Sequence, residues 1–253
     1  MNAPLAGRVV LVTRPAHQSA ALAEGIRAAG GEALLFPALE IVPVEPQSLA
    51  PLLTRLSEFD MAIFISPNAA RFGMAAIREV AALPEKIELF AVGPGTAKAL
   101  DALGLAGVTM PPGQDSEALL ALPQLEQVAG KRIAIFRGVG GRPLLADTLR
   151  ARGATVDYVE CYRRRCPDVD ADPLLQRWTD VAAVTIASAE TLRNLATMMG
   201  DRGVGLLRAT PLFVPHAKIA EAARMSGMAE VIVTAGGDAG LLQGLINWFR
   251  EHP

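Results

Sequence analysis

GKRIAIFRGVGGRPLLADTLRARGATVDYVECYRRRC, Gly130 to Cys166, is the stretch from which the fold can be read. The apolar run Arg132–Phe136 predicts a buried strand, Gly138–Gly141 a glycine-rich turn, Pro143–Arg152 a helix and Thr155–Cys161 a second strand. A fainter copy, GRVVLVTRPAHQSAALAEGIRAAGGEALLFPALEIVP, runs from Gly7 to Pro43, 123 residues earlier. Gly7, Arg14, Leu22, Ala23, Arg27, Ala28 and Gly30 align without a gap to Gly130, Arg137, Leu145, Ala146, Arg150, Ala151 and Gly153. The segments downstream of the two copies also match, in the same order. Ile65-Ser66-Pro67-Asn68 answers Ala187-Ser188-Ala189-Glu190, Val92-Gly93-Pro94-Gly95 answers Val214-Pro215-His216-Ala217, and Gly113-Gln114-Asp115 answers Gly236-Gly237-Asp238. The chain reads as a two-fold internal duplication.

Working outward, strands are predicted at Arg8–Thr13, Glu32–Phe36, Met61–Ser66, Ile87–Val92, Val108–Met110, Val181–Ile186, Pro211–Val214 and Val231–Thr234. Helices are predicted at His17–Ala29, Leu49–Ser57, Ala69–Ala82, Thr96–Leu103, Ser188–Met199, His216–Met225 and Asp238–Phe249, with a short one capped at Asp115 and reaching Leu122. Pro37–Pro46 and Arg163–Asp172 are proline-bounded connectors at the same repeat position. Alternating strand and helix means an α/β fold, parallel sheets with helices on both faces.

Composition narrows the function. The 253 residues are 51% hydrophobic and 20% charged, enough for a sizeable core in one large or two modest domains. A net charge of −2, with no basic block longer than Arg163–Arg165, argues against nucleic acid as partner. No apolar run is long enough to span a membrane, and Leu5–Thr13 does not read as a signal peptide, so a cytoplasmic protein is expected. Two cysteines, Cys161 and Cys166, make no disulfide framework, and His17, His216 and His252 lack zinc-site spacing, so no metal is expected.

Each repeated phrase falls where a strand ends and a helix begins, the edge at which open parallel sheets hold ligands. The residues there are Thr13, Arg14, Ser66, Asn68, Gly93, Thr96, Arg137, Gly138, Ser188, Ala189 and His216. Hydroxyls, small residues and free N–H groups at helix starts suit anionic oxygens, and an arginine suits a carboxylate or phosphate. The same residue types serve as ordinary caps and turns. Gly138-Val139-Gly140-Gly141 is not G-x-G-x-x-G, and Asp157 lies inside a strand, so no nucleotide cofactor is expected. Neither Ser66 nor Ser188 stands in a nucleophile elbow, and no carboxylates pair in the edge loops.

VLVTRP ending at Pro15, FPALEI (Phe36–Ile41), FISPNAARF (Phe64–Phe72), AVGPGTAKAL (Ala91–Leu100), DSEALL (Asp115–Leu120), RGVGGRPLLADTLRARGA (Arg137–Ala154), SAETLRNL (Ser188–Leu195) and HAKIAEAAR (His216–Arg224) follow one another along nearly the whole chain. In their order and spacing they resemble the uroporphyrinogen-III synthase family. The resemblance implies two similar flavodoxin-like or Rossmann-like domains joined by a two-stranded β-ladder. On that pattern residues 1–36 with 173–253 form the first domain and 47–159 the second, while 37–46 and 160–172 pair as the connector and hinge. It also implies the reaction: hydroxymethylbilane, a linear tetrapyrrole, is cyclised and dehydrated to uroporphyrinogen III with ring D inverted through a spiro intermediate. This happens in the cleft between domains and without a cofactor. Tyr162, in ECYRRR, matches a tyrosine suspected of protonating the departing hydroxyl. Thr96, Ser66 and Ser188 match family hydroxyl positions, whereas Ala187 stands where the family often has Thr or Ser. A monomer receiving its substrate by hand-over from hydroxymethylbilane synthase is the corresponding expectation. The competing reading is a hinged two-domain binder of an anionic small molecule, with the same loops and no catalysis.

Overall fold

The computed structural model describes residues 3–252. In chain order, β1 (Val9–Val12), α1 (Ala20–Ala28) and β2 (Glu32–Leu35) lead to β3 (Glu40–Pro43), α2 (Pro46–Leu53), β4 (Met61–Phe64), α3 (Pro67–Val80) and β5 (Glu88–Ala91). Then come α4 (Pro94–Asp101), α5 (Ser116–Leu120), α6 (Pro123–Glu126), β6 (Arg132–Gly138), α7 (Leu144–Ala151) and β7 (Thr155–Arg165). The last third holds α8 (Asp172–Gln176), β8 (Val181–Thr185), α9 (Ala189–Ala209), β9 (Leu212–Val214), α10 (Ala217–Met225), β10 (Val231–Val233) and α11 (Gly237–Glu251). The chain up to Glu40 and from Arg165 onward forms one compact unit, and Ile41–Arg164 forms another.

In the first unit the sheet order is β10-β9-β8-β1-β2, with parallel pairing throughout. Numbered by appearance within the unit, the strands run 2-1-3-4-5, a doubly wound order. Period-two alternation divides the core. Leu11, Val184 and Val214 pack with α8, α9 and α10 residues on one face. Val10, Val12, Ala183 and Phe213 pack with α1 and α11 on the other.

The second unit has the order β3-β7-β6-β4-β5. Its run β7-β6-β4-β5 repeats β2-β1-β8-β9, and a Phe90–Thr109 bridge stands where the first unit has β10. The repeat extends to register: Val9 faces Glu32 and Arg132 faces Thr155, each pair displaced by the same 123 residues. Ala62, Phe64, Ala134 and Phe136 pack under α2, α3 and α4. Met61, Ile63, Ile133 and Ile135 pack under α5, α6 and α7.

Several elements run beyond the sequence reading, β7 and α9 by the most. The structure continues β7 through Tyr162 to Arg165, although the exposed run Arg163–Arg165 looks like a solvated loop in sequence. Similarly, α9 continues past Met199 to Ala209. Gly200 (φ 61°) kinks it, and Gly203 lets the second half approach Met199 and Leu175. Three glycines in this stretch hide that half from a propensity argument.

Within β7, the Tyr158 ring lies 4.4 Å from the Arg137 guanidinium and 5.4 Å from that of Arg150. Its hydroxyl is buried with no hydrogen-bond partner among the described residues. An unmet buried hydroxyl costs roughly 1–3 kcal/mol, while the ring keeps its contacts without it. We therefore expect Tyr158→Phe to raise stability by about 1 kcal/mol, read as a Tm increase of roughly 2–4 °C for a chain of this size. A drop in Tm would mean that the hydroxyl has a partner.

Candidate functional site

In the second unit the chain leaves β4 for α3 on one face of the sheet and leaves β6 for α7 on the other. The crevice at the carboxyl ends of β4 and β6 is thus the topological switch point, where doubly wound sheets hold ligands. Ser66, Gly138 and Tyr162 meet there. Ser66, with extended backbone, caps α3: its Oγ accepts from Ala69 N at 3.0 Å, and Pro67 supplies the first helical position. The same Oγ lies 3.1 Å from the Tyr162 hydroxyl.

Tyr162 lies on the α3 side of the sheet at this edge because of a β-bulge. Arg137 pairs with Glu160 and Gly138 with Tyr162, which leaves Cys161 as the extra residue. Strict alternation would send Tyr162 to the face of Tyr158, under α7. The bulge instead puts Cys161 and Tyr162 together with Val159 in the α3 core. Tyr162 is only 3% exposed, and its ring lies 5.8 Å from that of Phe72. A period-two sequence reading cannot find such a bulge.

The adjoining loops supply helix starts. Gly93 caps α4 with Pro94 at the first position, and a Cβ on Gly95 would stand 3.7 Å from Pro67, so the first turns of α3 and α4 abut. The partial positive charge of both N-termini favours an anion here. Thr96, in the first turn of α4, is 4% exposed. Asn68 lies in the first turn of α3.

Arg137 behaves differently from the expected anion grip. Its side chain is only 5% exposed, and its guanidinium donates to the carbonyls of Gly138 (3.2 Å) and Gly140 and stands 3.9 Å from the Glu160 carboxylate. Glu160 also accepts from Gly140 N at 3.2 Å. Gly140 and Gly141, at φ 76° and 102°, take the left-handed conformation that turns these carbonyls back. Arg137 and Glu160 therefore clasp the glycine-rich turn.

The first unit's loops carry the same residue types with other partners. Thr13 is fully buried and donates to Thr185 O at 2.6 Å, tying β1 to β8 rather than facing solvent. Arg14 forms an ion pair with Asp238 at 2.5 Å, at the start of α11. That contact lacks hydrogen-bond geometry, and Arg14 Nε is buried without an acceptor among the described residues. Ser188 caps α9 through Thr191 N (3.0 Å), with Ala189 at the first position, and its hydroxyl meets Thr191 Oγ1 at 2.8 Å. His216 caps α10, its Nδ1 accepting from Lys218 N at 3.2 Å. At the repeat positions of Gly138 and Tyr162 stand Pro15 and Leu39. The phenol–serine contact belongs to the second unit alone.

Thr191, Asp238 and Glu160 are partners that the sequence does not single out as site residues. Asp238 lies in the repeated phrase Gly236-Gly237-Asp238; for the other two no local signal exists. Burial pushes the Cys161 thiol up to about 12, which keeps it un-ionised and inert as a nucleophile. Among the described residues no three His, Cys, Asp or Glu side chains group as metal ligands would.

These features define a doubly wound α/β protein with a phenol, hydroxyls and helix N-termini at the carboxyl ends of its strands. Residues 20–240 match the family described as uroporphyrinogen-III synthase HemD. Uroporphyrinogen-III synthase of Salmonella typhimurium is 36% identical over 236 residues, covering 90% of this chain and 96% of the relative. That of Escherichia coli is 35% identical with the same coverage. Among solved structures, a mutant uroporphyrinogen III synthase from Thermus thermophilus superposes with a TM-score of 0.65 at 20% identity, covering 97% of this chain and all of that one. The Helicobacter pylori synthetase gives 0.59 at 13% identity, again evidence of the fold. The chain belongs to the uroporphyrinogen-III synthase family.

Proposed function

We propose that this chain is a cyclising hydro-lyase that converts hydroxymethylbilane to uroporphyrinogen III. The C–O bond of the pyrrolic hydroxymethyl group breaks as Tyr162 gives its proton to the departing oxygen, and water leaves. The resonance-stabilised azafulvenium is then attacked by the substituted carbon of ring D, forming the spiro intermediate. Reopening and reclosure deliver the inverted ring, and the proton lost as the pyrrole is restored returns Tyr162 to its neutral form. No oxidation state changes overall. Ionisation is intrinsically easy, so the protein's task is to decide which carbon attacks, an orientation effect. The acetate and propionate carboxylates give the helix starts behind Ser66, Gly93, Ser188 and His216 their handles.

The observation that carries this reading is the Tyr162 hydroxyl, 3.1 Å from Ser66 at the head of α3, in a member of this family. The finer architecture we propose is two similar flavodoxin-like domains, 1–36 with 173–253 and 47–159, joined by a paired connector of 37–46 and 160–172. The shared strand order and the 123-residue register repeat support it. The protein works as a cytoplasmic monomer without a cofactor. Hand-over from hydroxymethylbilane synthase fits a substrate that closes spontaneously to the unrotated isomer.

The test is a coupled assay. Purified protein is given freshly made hydroxymethylbilane, the products are oxidised, and the type I and type III uroporphyrin isomers are separated. We expect predominantly type III without added metal or nucleotide. Type I alone, at the protein-free rate, would overturn the synthase reading.

A further inference from the structure

We propose that Gly138 is a positioning residue: its missing side chain is the seat that holds the Tyr162 phenol against Ser66. A Cβ built on Gly138 would lie 2.6 Å from Tyr162 Cε2, 2.7 Å from Cζ and 3.1 Å from the hydroxyl. Real Cβ contacts do not come this close, so any side chain at 138 must displace the ring or the strand end. The clash falls on the hydroxyl-bearing edge of the ring.

Gly138 is not required here for backbone conformation, since its φ lies outside the left-handed range that the structure records for Gly140 and Gly141. Alanine can adopt the same backbone, and the requirement is one of space. Both sides of the seat are fixed. Val139 N donates to Tyr162 O at 2.8 Å, across the bulge that turns Tyr162 toward α3. Behind Gly138, Arg137 and Glu160 hold the turn closed. The ring cannot retreat freely either, being buried against Phe72. An added methyl must therefore shift the phenol from the position in which its hydroxyl stands 3.1 Å from Ser66 Oγ.

The functional part of this inference rests on Tyr162 as the proton donor, so its test separates the two. Gly138→Ala is expected to lower kcat roughly 10- to 100-fold, with KM within about twofold, as misplacing a reacting group by about 1 Å does. In a Tyr162→Phe background the same substitution is expected to add almost nothing, because both act through one hydroxyl. The structural readout is independent of activity. The chain has two tyrosines, so in Tyr158→Phe protein labelled with fluorotyrosine the remaining fluorine resonance reports Tyr162. Gly138→Ala and Ser66→Ala should each move it.

An unmoved resonance in folded Gly138→Ala protein overturns the seat. So does full kcat in that variant beside a Tyr162→Phe enzyme that has lost it. If Tyr162→Phe itself keeps full activity, the proton-donor role falls instead. A displaced resonance then still establishes the steric seat, and an unmoved one sinks both.

Discussion

Tyr162→Phe is expected to lower kcat about 10²- to 10⁴-fold, the range over which a positioned general acid contributes. The substitution deletes one oxygen and leaves the ring in place beside Phe72 and Gly138. Ser66 Oγ keeps its bond from Ala69 N, so the α3 cap survives. The structural cost is that of one lost hydrogen bond, about 1 kcal/mol, too small to unfold the unit. KM should change little, because carboxylate recognition is assigned to the helix starts. What remains is ionisation without a proton donor, in competition with spontaneous closure. The product ratio should therefore drift from type III toward type I as the enzymatic rate falls. Single-turnover assays with isomer separation measure both quantities at once. A variant within about twofold of the parent would remove Tyr162 from the chemistry, since a real general acid contributes far more.

Much of the fold is legible in the sequence because it rests on short-range patterns. The buried runs around Val10, Ile63, Ile135 and Val184 are continuous stretches of apolar residues, as doubly covered parallel strands must be. Ser66, Asp115 and Ser188 announce helix starts through side chains that accept from the backbone three residues on. The duplication orders the strands, and the β1–β2 and β6–β7 registers repeat at its spacing.

The site is less legible because it depends on where side chains turn. Arg14 and Arg137 occupy the same repeat position, yet one pairs with Asp238 and the other folds onto its own turn. The difference is downstream: Gly140 and Gly141 bring carbonyls back toward Arg137, whereas the first copy has no glycine pair after Arg14 and its Pro15 is locked at negative φ. Thr13 looks like an edge hydroxyl in sequence but lies one residue too deep, where the free acceptor is Thr185 O. The bulge at Cys161 depends on pairing with β6, and no pattern within ECYRRR announces it.

Phe136→Ala is expected to cost about 3–5 kcal/mol, the largest stability effect of any substitution considered. Phe136 is fully buried, and its ring stacks on Phe64 with centroids 4.4 Å apart and planes 15° from parallel. Helix α3 lies directly on this ring at Gly73, where a Cβ would come within 2.6 Å of Phe136 Cδ1. Truncation thus removes an aromatic pair and also the floor on which α3 rests. A helix held by close glycine–ring contact cannot settle into the gap without moving its cap, Ser66, so the cavity should persist and the cost should lie toward the upper end. Against a total of about 5–15 kcal/mol, this is enough to unfold a marginal domain at physiological temperature. Phe136→Leu, which refills much of the volume, should cost distinctly less, roughly 1–2 kcal/mol. Urea denaturation gives the two numbers. Native-state hydrogen exchange locates them: protection should fall in β4, β6 and α3 while β1, β8 and β9 keep theirs. Equal losses in both sets of strands would contradict this packing account, because Phe136 belongs to the α3-side core of the second unit.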